Sequence, residues 1–333
     1  MKAIKFMGSG KAEVQEVPDP QPNPGDVLLK VHSSALCGSE KMVFLMEAEF
    51  PNIPGHEMSG EVADPCGSSL FKKGDKVVVQ IMNGCGECRY CHNGTPQFCQ
   101  ALQYMGGTHA QYVAMPEKCC IKMPEDIPYD DAALLGGDTI GVPCRATRQL
   151  DLHPAKTVFI SGAGPIGIGM IALLKHYGSY VIVAEPHEYR RQFALQTVGA
   201  DMVLDPAEED VPLNIKELTD GSGPEIIIEC SGNPNAQLQA LELVRCQGTV
   251  LFAGENYAGL QIIPSLHIIH KEITLLGAFY FTAHDFHEII GQYRRGLKVD
   301  HLVSHRAALK DAPEAFSAFA KGQTGKVIIH PWE

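Results

Sequence analysis

Residues 157–167 read TVFISGAGPIG, and the fold of the chain turns on this stretch. An apolar β-type run ending at Ser161 passes directly into a glycine turn, which opens an apolar helix-length segment reaching His176. A G-x-G-x-x-G pattern has meaning only between a strand and a helix, and Gly162, Gly164 and Gly167 stand in that context. Gly162 permits the tight turn, Gly164 lets the backbone approach a pyrophosphate, and Gly167 allows close helix–strand packing. The free N–H groups and positive dipole end of the helix that Pro165 opens would hold the phosphates. Glu185 ends the next apolar run, 18 residues past Gly167, where a carboxylate accepts hydrogen bonds from an adenosine ribose. The same carboxylate repels a 2′-phosphate, so NAD is expected over NADP, with Arg190 as the nearby residue that would favour the phosphate. A glycine turn without a ligand is the plainer reading, against which strand, helix and distal acid combine; FAD also suits the motif alone.

Outward from this motif, YVIVAEP, DMVLD, IIIECSG and TVLFAG repeat the rhythm of a short apolar run followed by a turn and a helix-length stretch. That rhythm predicts a doubly wound parallel sheet. Toward the N-terminus the texture changes to short alternating runs, such as VLLKVHSSAL and KGDKVVVQIM, separated by Pro/Gly punctuation. The fold class is therefore α/β: a doubly wound parallel sheet plus a β-rich domain. The expected boundaries are 1–145 for the β-rich domain, with a cysteine lobe at 83–103, 146–277 for the dinucleotide-binding domain, and 278–333 for a return to the first.

A formal charge of −12 with no basic run argues against a nucleic-acid surface. The N-terminal stretch lacks the apolar core of a signal peptide, and no run approaches the roughly 20 apolar residues that span a bilayer. A cytoplasmic location is expected, with a small-molecule partner and no nucleic acid or membrane. EITLLGAFYF is a β-prone apolar run that suits pairing across a two-fold axis in a dimer or tetramer, and a buried internal strand reads the same way.

Four of the eleven cysteines, Cys85, Cys88, Cys91 and Cys99, are separated by two, two and seven residues. Thiolates so spaced can wrap a tetrahedral zinc ion, and a closed four-sulfur shell leaves no place for substrate, so this zinc is expected to be structural. An iron–sulfur cluster is the chemical rival. Cys37 in LCGSE and His56 in PGHEMSG form a second, half-complete donor set. Taken singly, each reads more often as structural: Cys37 as core packing, and His56 beside Glu57 as a surface ion pair. Cys66, Cys119, Cys120, Cys144, Cys230 and Cys246 are expected to be packing residues. His109 is expected to be a satisfied structural histidine. Met42, Phe44 and Met46 read either as a pocket wall or as a core stripe.

CGSE, GHEMSG, the cysteine cluster, GAGPIG and the closing EAFSAFAKGQTGKVII together resemble the zinc-containing medium-chain dehydrogenases, which include alcohol, sorbitol and threonine dehydrogenases, and they follow that family's order over nearly the whole chain. The resemblance implies a GroES-like catalytic domain interrupted by a Rossmann domain, with the active site in the cleft between them. It implies that Cys37 and His56 ligate a catalytic zinc, that Glu57 either supports the ligands from behind or is an alternating ligand, and that Ser39 begins a proton relay. Ile166, Glu185, Arg190 and Ser231 match cofactor-contacting positions. The family usually supplies a further Cys, or in the polyol branch a Glu, just before the Rossmann domain. Here that segment reads LLGGDTIGV, so Asp138 is its only ligand type, and either Asp138 or Glu57 completes the shell. Glu40 stands where the family commonly has Asp, and its longer arm changes the support available to the zinc ligands.

The expected activity is hydride transfer between a secondary alcohol, a sugar alcohol or cyclitol, and NAD, with two zinc ions per chain. A zinc ion with an open place acidifies the substrate hydroxyl, while Ser39 carries the proton away. A zinc-independent NADPH reductase of the same architecture and a non-catalytic NAD-binding zinc protein are the rivals, and metal content separates them.

Overall fold

A computed structural model describes every residue from Met1 to Glu333, which divide into two compact units. One comprises Met1–Gly141, Tyr280–Gly291 and Val303–Glu333; the other comprises Val142–Phe279 and Gln292–Leu302. The chain leaves the second unit at Phe279 and re-enters it over residues 292–302, an excursion with no signal in the sequence pattern.

The second unit is built on a six-stranded parallel sheet. Its spatial order is Met202–Leu204, Tyr180–Ala184, Thr157–Ser161, Ile226–Glu229, Thr249–Phe252 and Thr274–Gly277. Numbered along the chain this is 3-2-1-4-5-6, the Rossmann order, whose direction of winding reverses between the first and fourth strands. Helices covering both faces explain why the strands are uninterrupted apolar runs: Phe159, Ile182, Ile227 and Val250 are all buried in one core with Ile215 and Leu241. Thr274–Gly277 ends the sheet, and most of its residues are exposed. The apolar run 272–281 is therefore not one strand: pairing stops at Gly277, and Tyr280 adopts a left-handed backbone with φ 56°.

In the first unit a seven-stranded, largely antiparallel sheet runs in the order Val303–Ala308, Lys326–His330, Asp26–Ala35, Glu57–Asp64, Lys76–Val79 and Cys120–Lys122, with Tyr112–Pro116 also paired to Asp26–Ala35. Phe6 packs edge-on against Phe316 at 4.8 Å and against Phe44 at 5.3 Å, at the centre of a core that includes Leu36 and Ile329. Phe44 is thus core, whereas Met42 and Met46 are exposed, so the three do not form a common wall. Among the cysteines expected to pack, Cys119, Cys120 and Cys144 are buried, but Cys66 and Cys246 are exposed because each falls in a solvated turn rather than on an element face. No helix is long and apolar enough to cross a membrane.

Candidate active site

The strands Asp26–Ala35 and Glu57–Asp64 are antiparallel neighbours, with Ala35 opposite Glu57. That register brings Cys37, two residues past one strand, to His56 and Glu57 at the start of the other. Asp138 joins them as the first residue of the helix Asp138–Thr147. One donor atom from each of Cys37, His56, Glu57 and Asp138 lies within 4.8 Å of the others. Asp138 Oδ2 is 3.4 Å from Cys37 Sγ and 3.2 Å from His56 Nε2. The approach depends on Gly137, since a Cβ there would sit 2.3 Å from Glu57 Oε2.

Burial governs the electrostatics of this cluster. It raises the Cys37 thiol, and the Asp138 charge raises it further. For His56, burial opposes protonation, but Cys37 and Asp138 outweigh it and lift the imidazole well above its ordinary value. Burial also raises Glu57, against the Lys326 ammonium, whose Nζ lies 2.8 Å from Glu57 Oε1 and donates to the Leu36 carbonyl at 2.7 Å. Asp138 Oδ1 is buried without a hydrogen-bond partner. A soft thiolate, an imidazole and a carboxylate converging with an unsatisfied oxygen fit a zinc-sized cation with a place left for a fourth ligand. Ser39, two residues beyond Cys37, is exposed and makes no side-chain capping bond to the short helix that follows it.

Cys85, Cys88, Cys91 and Cys99 form the second donor set, again within 4.8 Å. Cys88 and Cys91 sulfurs are 3.6 Å apart, and Cys85 and Cys91 sulfurs 4.0 Å. Backbone N–H groups of Glu87 and Cys88 hold the Cys85 thiol down to about 6, favouring the thiolate that a metal binds.

In the parallel-sheet unit, Gly162 has φ 94°, and a Cβ on Gly167 would lie 2.0 Å from the Gly162 carbonyl oxygen, so both glycines are required by the turn. Pro165 opens the helix Pro165–His176, with Ile166 beside it. Glu185 Oε2 accepts the Ala163 N–H at 2.8 Å, and Oε1 accepts both the backbone and ring N–H of His187, at 3.0 and 2.7 Å. Ser231 follows the fourth strand, and its Cβ would be 3.0 Å from a Cβ on Gly162. The side chain of Arg190 lies near Gly164 and feels the Glu185 charge, while Arg191 pairs with Asp205 at 2.6 Å. A loop of this shape, at the carboxyl ends of the strands where the winding reverses, can cradle a dinucleotide pyrophosphate.

Sequence reasoning did not find Lys326 or the partnership of Glu40 with His109. Lys326 carried a signal nonetheless, because a lysine opening the apolar run KVIIH must find a buried anion or leave the sheet. Glu57, read singly as half of a surface ion pair with His56, is fully buried against that lysine.

Comparison with known proteins agrees with this arrangement. Residues 23–125 match the alcohol dehydrogenase GroES-like domain family, and residues 165–294 match the zinc-binding dehydrogenase family. L-threonine 3-dehydrogenase of Pyrococcus horikoshii is 34% identical, over 96% of this chain and 94% of its own. Sorbitol dehydrogenase of Bacillus subtilis is 29% identical over 99% and 97%. The crystal structure of 2R,3R-butanediol dehydrogenase from Bacillus subtilis superposes with a TM-score of 0.85 at 26% identity, covering 99% of both chains. With both domain families matched in order and a relative of this similarity spanning nearly its full length, the chain belongs to the zinc-containing medium-chain alcohol and polyol dehydrogenases.

Proposed function

We infer that this member of the family oxidises a secondary alcohol on a small polar substrate, a sugar alcohol or cyclitol, and uses NAD. The observation that carries the reading is the position of Asp138 Oδ2 beside both Cys37 Sγ and His56 Nε2. A carboxylate here makes the donor set richer in oxygen than one of sulfur and imidazole, which favours a substrate presenting several hydroxyls. In this reading Cys37, His56 and Asp138 hold the catalytic zinc, and the four-cysteine lobe holds a structural one. Zinc supplies Lewis acidity that makes an alcohol hydroxyl ionisable near neutral pH, and NAD accepts the hydride. Cys37 and Asp138 place negative charge on the cation, and His56 completes three protein positions. Ser39 Oγ takes the hydroxyl proton and passes it toward solvent, which its exposure permits. Lys326 occupies Oε1 of Glu57 and so restrains that carboxylate as an exchanging ligand.

Glu185 supports the choice of NAD. The carboxylate is held by Ala163 and His187 and is already anionic neighbour to the adenosine ribose site, where a 2′-phosphate would add like charge. The exposed edge strand Thr274–Gly277 suits pairing with a second copy, giving a homo-oligomer.

The test is a panel of alcohols, polyols and amino-polyols, with L-threonine included because the Pyrococcus horikoshii relative is named for it, offered with NAD and with NADP while absorbance of the reduced nicotinamide is followed. Native mass spectrometry should find two zinc ions per chain. Turnover with NADPH on a chain carrying no zinc would favour the reductase, and NAD binding without turnover on any substrate would favour the non-catalytic NAD-binding zinc protein.

A further inference from the structure

His109 is fully buried, and its two ring nitrogens engage partners on opposite sides. Nδ1 lies 2.8 Å from Ser34 Oγ, and Nε2 lies 2.9 Å from Glu40 Oε1. The second oxygen of Glu40 accepts the backbone N–H of Cys37 at 2.8 Å. Ser34 Oγ is also 3.0 Å from Thr108 Oγ1 and donates to the Glu57 carbonyl at 3.3 Å. One continuous polar chain therefore touches the main chain of Cys37 at one end and of Glu57 at the other.

The backbone of His109 holds the third side. Its N–H donates to the Pro54 carbonyl at 3.0 Å. Gly55, with φ 99°, lies so close over it that a Cβ would be 2.6 Å from His109 N and 2.7 Å from its ring. Gly55 leads directly into His56, so the turn presenting the second donor rests on the same histidine. The ring completes its packing edge-on against Phe316 at 5.3 Å. An apolar ring could fill that space with no polar desolvation, and replacing a buried polar pair by apolar side chains is often neutral or stabilising. The pair is better explained by the geometry it imposes than by stability.

We propose that His109, acting through Glu40, is a positioning residue of the metal centre: it fixes the Cys37 peptide and the Gly55–His56 turn, so that thiolate and imidazole are held at one separation for a divalent cation. This rests on the metal reading above. Outer partners of metal ligands typically change metal affinity by about 10–100-fold, and that range is expected here.

The experiment uses the full chain loaded with zinc. Chelator is titrated in while native mass spectrometry counts ions; the labile ion is then replaced by cobalt(II), whose visible bands report ligand geometry. His109→Phe keeps the contact with Phe316 and removes both hydrogen bonds. Glu40→Asp shortens the arm that joins His109 to Cys37, and Glu40→Gln keeps its length and its acceptor. The proposal expects one ion to leave H109F and E40D at about 10–100-fold lower chelator, with altered cobalt bands, while E40Q stays near wild type and the four-cysteine ion is retained in all. A role in stability alone would lower melting temperature and leave chelator midpoint and cobalt bands unchanged, and that result overturns the proposal. If H109F loses both ions and fails to fold, the contrast between E40D and E40Q decides in the same way. A wild-type chain carrying only the four-cysteine ion overturns the metal reading itself, and this inference with it.

Discussion

Replacing Lys326 with methionine removes the ammonium that meets Glu57 Oε1 at 2.8 Å, where both side chains have no exposure to solvent. Methionine fills much of the same volume and adapts to irregular space, so packing is largely kept. The loss is electrostatic: the Glu57 carboxylate is stranded, and so is the Leu36 carbonyl, which accepts from the same Nζ at 2.7 Å. Breaking a buried ion pair from one side costs about 3–5 kcal/mol. With a urea dependence of about 2 kcal/mol per molar, the unfolding midpoint of this unit should fall by about 1.5–2.5 M. Trp332 is the only tryptophan, lies just past the strand Lys326–His330, and donates its indole N–H to Val31 at 2.9 Å. Its emission therefore reports on this unit rather than on the parallel-sheet one. Chelator is kept present so that bound metal does not replace the missing charge. Adding Glu57→Gln to K326M removes the stranded anion and should recover most of the loss. A K326M midpoint within about 0.5 M of wild type, or a double variant no more stable than K326M, refutes the reasoning.

Cys37→Ser and His56→Ala should each reduce turnover below detection, while NADH binding, followed by cofactor fluorescence, and far-ultraviolet circular dichroism stay near wild type. Retained activity in either variant contradicts the assignment of the catalytic centre. Glu185→Gln keeps the acceptor for the Ala163 N–H but removes the charge, so the preference for NAD over NADP in kcat/KM should drop at least about tenfold. Unchanged discrimination would mean that Glu185 does not read the ribose. Acidity should act through Asp130: burial opposes its ionisation, but bonds from His330, Ser33 and Arg306 hold it well below the usual carboxylate range, while Asp130 in turn raises His330. The carboxylate's contribution is present above about pH 4 and lost as pH falls through its lowered value; the imidazole's is full below about pH 6.5 and lost as pH rises through its raised value. Trp332-monitored stability should therefore show a contribution greatest between about pH 4 and 6.5, and His330→Gln should flatten its alkaline side.

Local chemistry explains what the sequence disclosed. Gly162, Gly164 and Gly167 are adjacent in the chain because one turn needs all three, and the four cysteines of residues 85–99 lie in one short loop, so both signals survive in the linear order. Lys326 and Glu57 are 269 positions apart, and His109 and Glu40 are 69, so only the pairing of strands and loops makes either partnership visible. Asp138 lies between these cases. Its distance of 101 positions from Cys37 hides the contact, yet it was the one ligand type available in its segment. The expected boundary at Gly277 coincides with the end of sheet pairing, while the compact unit runs on to Phe279: Leu275 and Phe279 read alike in the sequence, although only the first lies in the strand.

The buried charges around Cys37 give the strongest physical argument for a cation. Two carboxylates, Glu57 and Asp138, lie at this thiol and a third, Glu40, holds the Cys37 backbone N–H; Glu57 has Lys326 and Glu40 has His109 as basic partners that contribute no donor to the cluster. Asp138 has only His56, whose Nε2 is itself one of the converging donor atoms, and its Oδ1 has no partner. A buried carboxylate oxygen left without a partner is costly, and a bound ion is one of the causes that retain it. A divalent ion answers the thiolate and Asp138 together, two negative charges against two positive, and leaves the Lys326–Glu57 pair undisturbed. On the metal reading proposed above, the same count favours Asp138 over Glu57 as third ligand: moving Glu57 onto the cation would strand Lys326, fully buried, with only the Leu36 carbonyl for company.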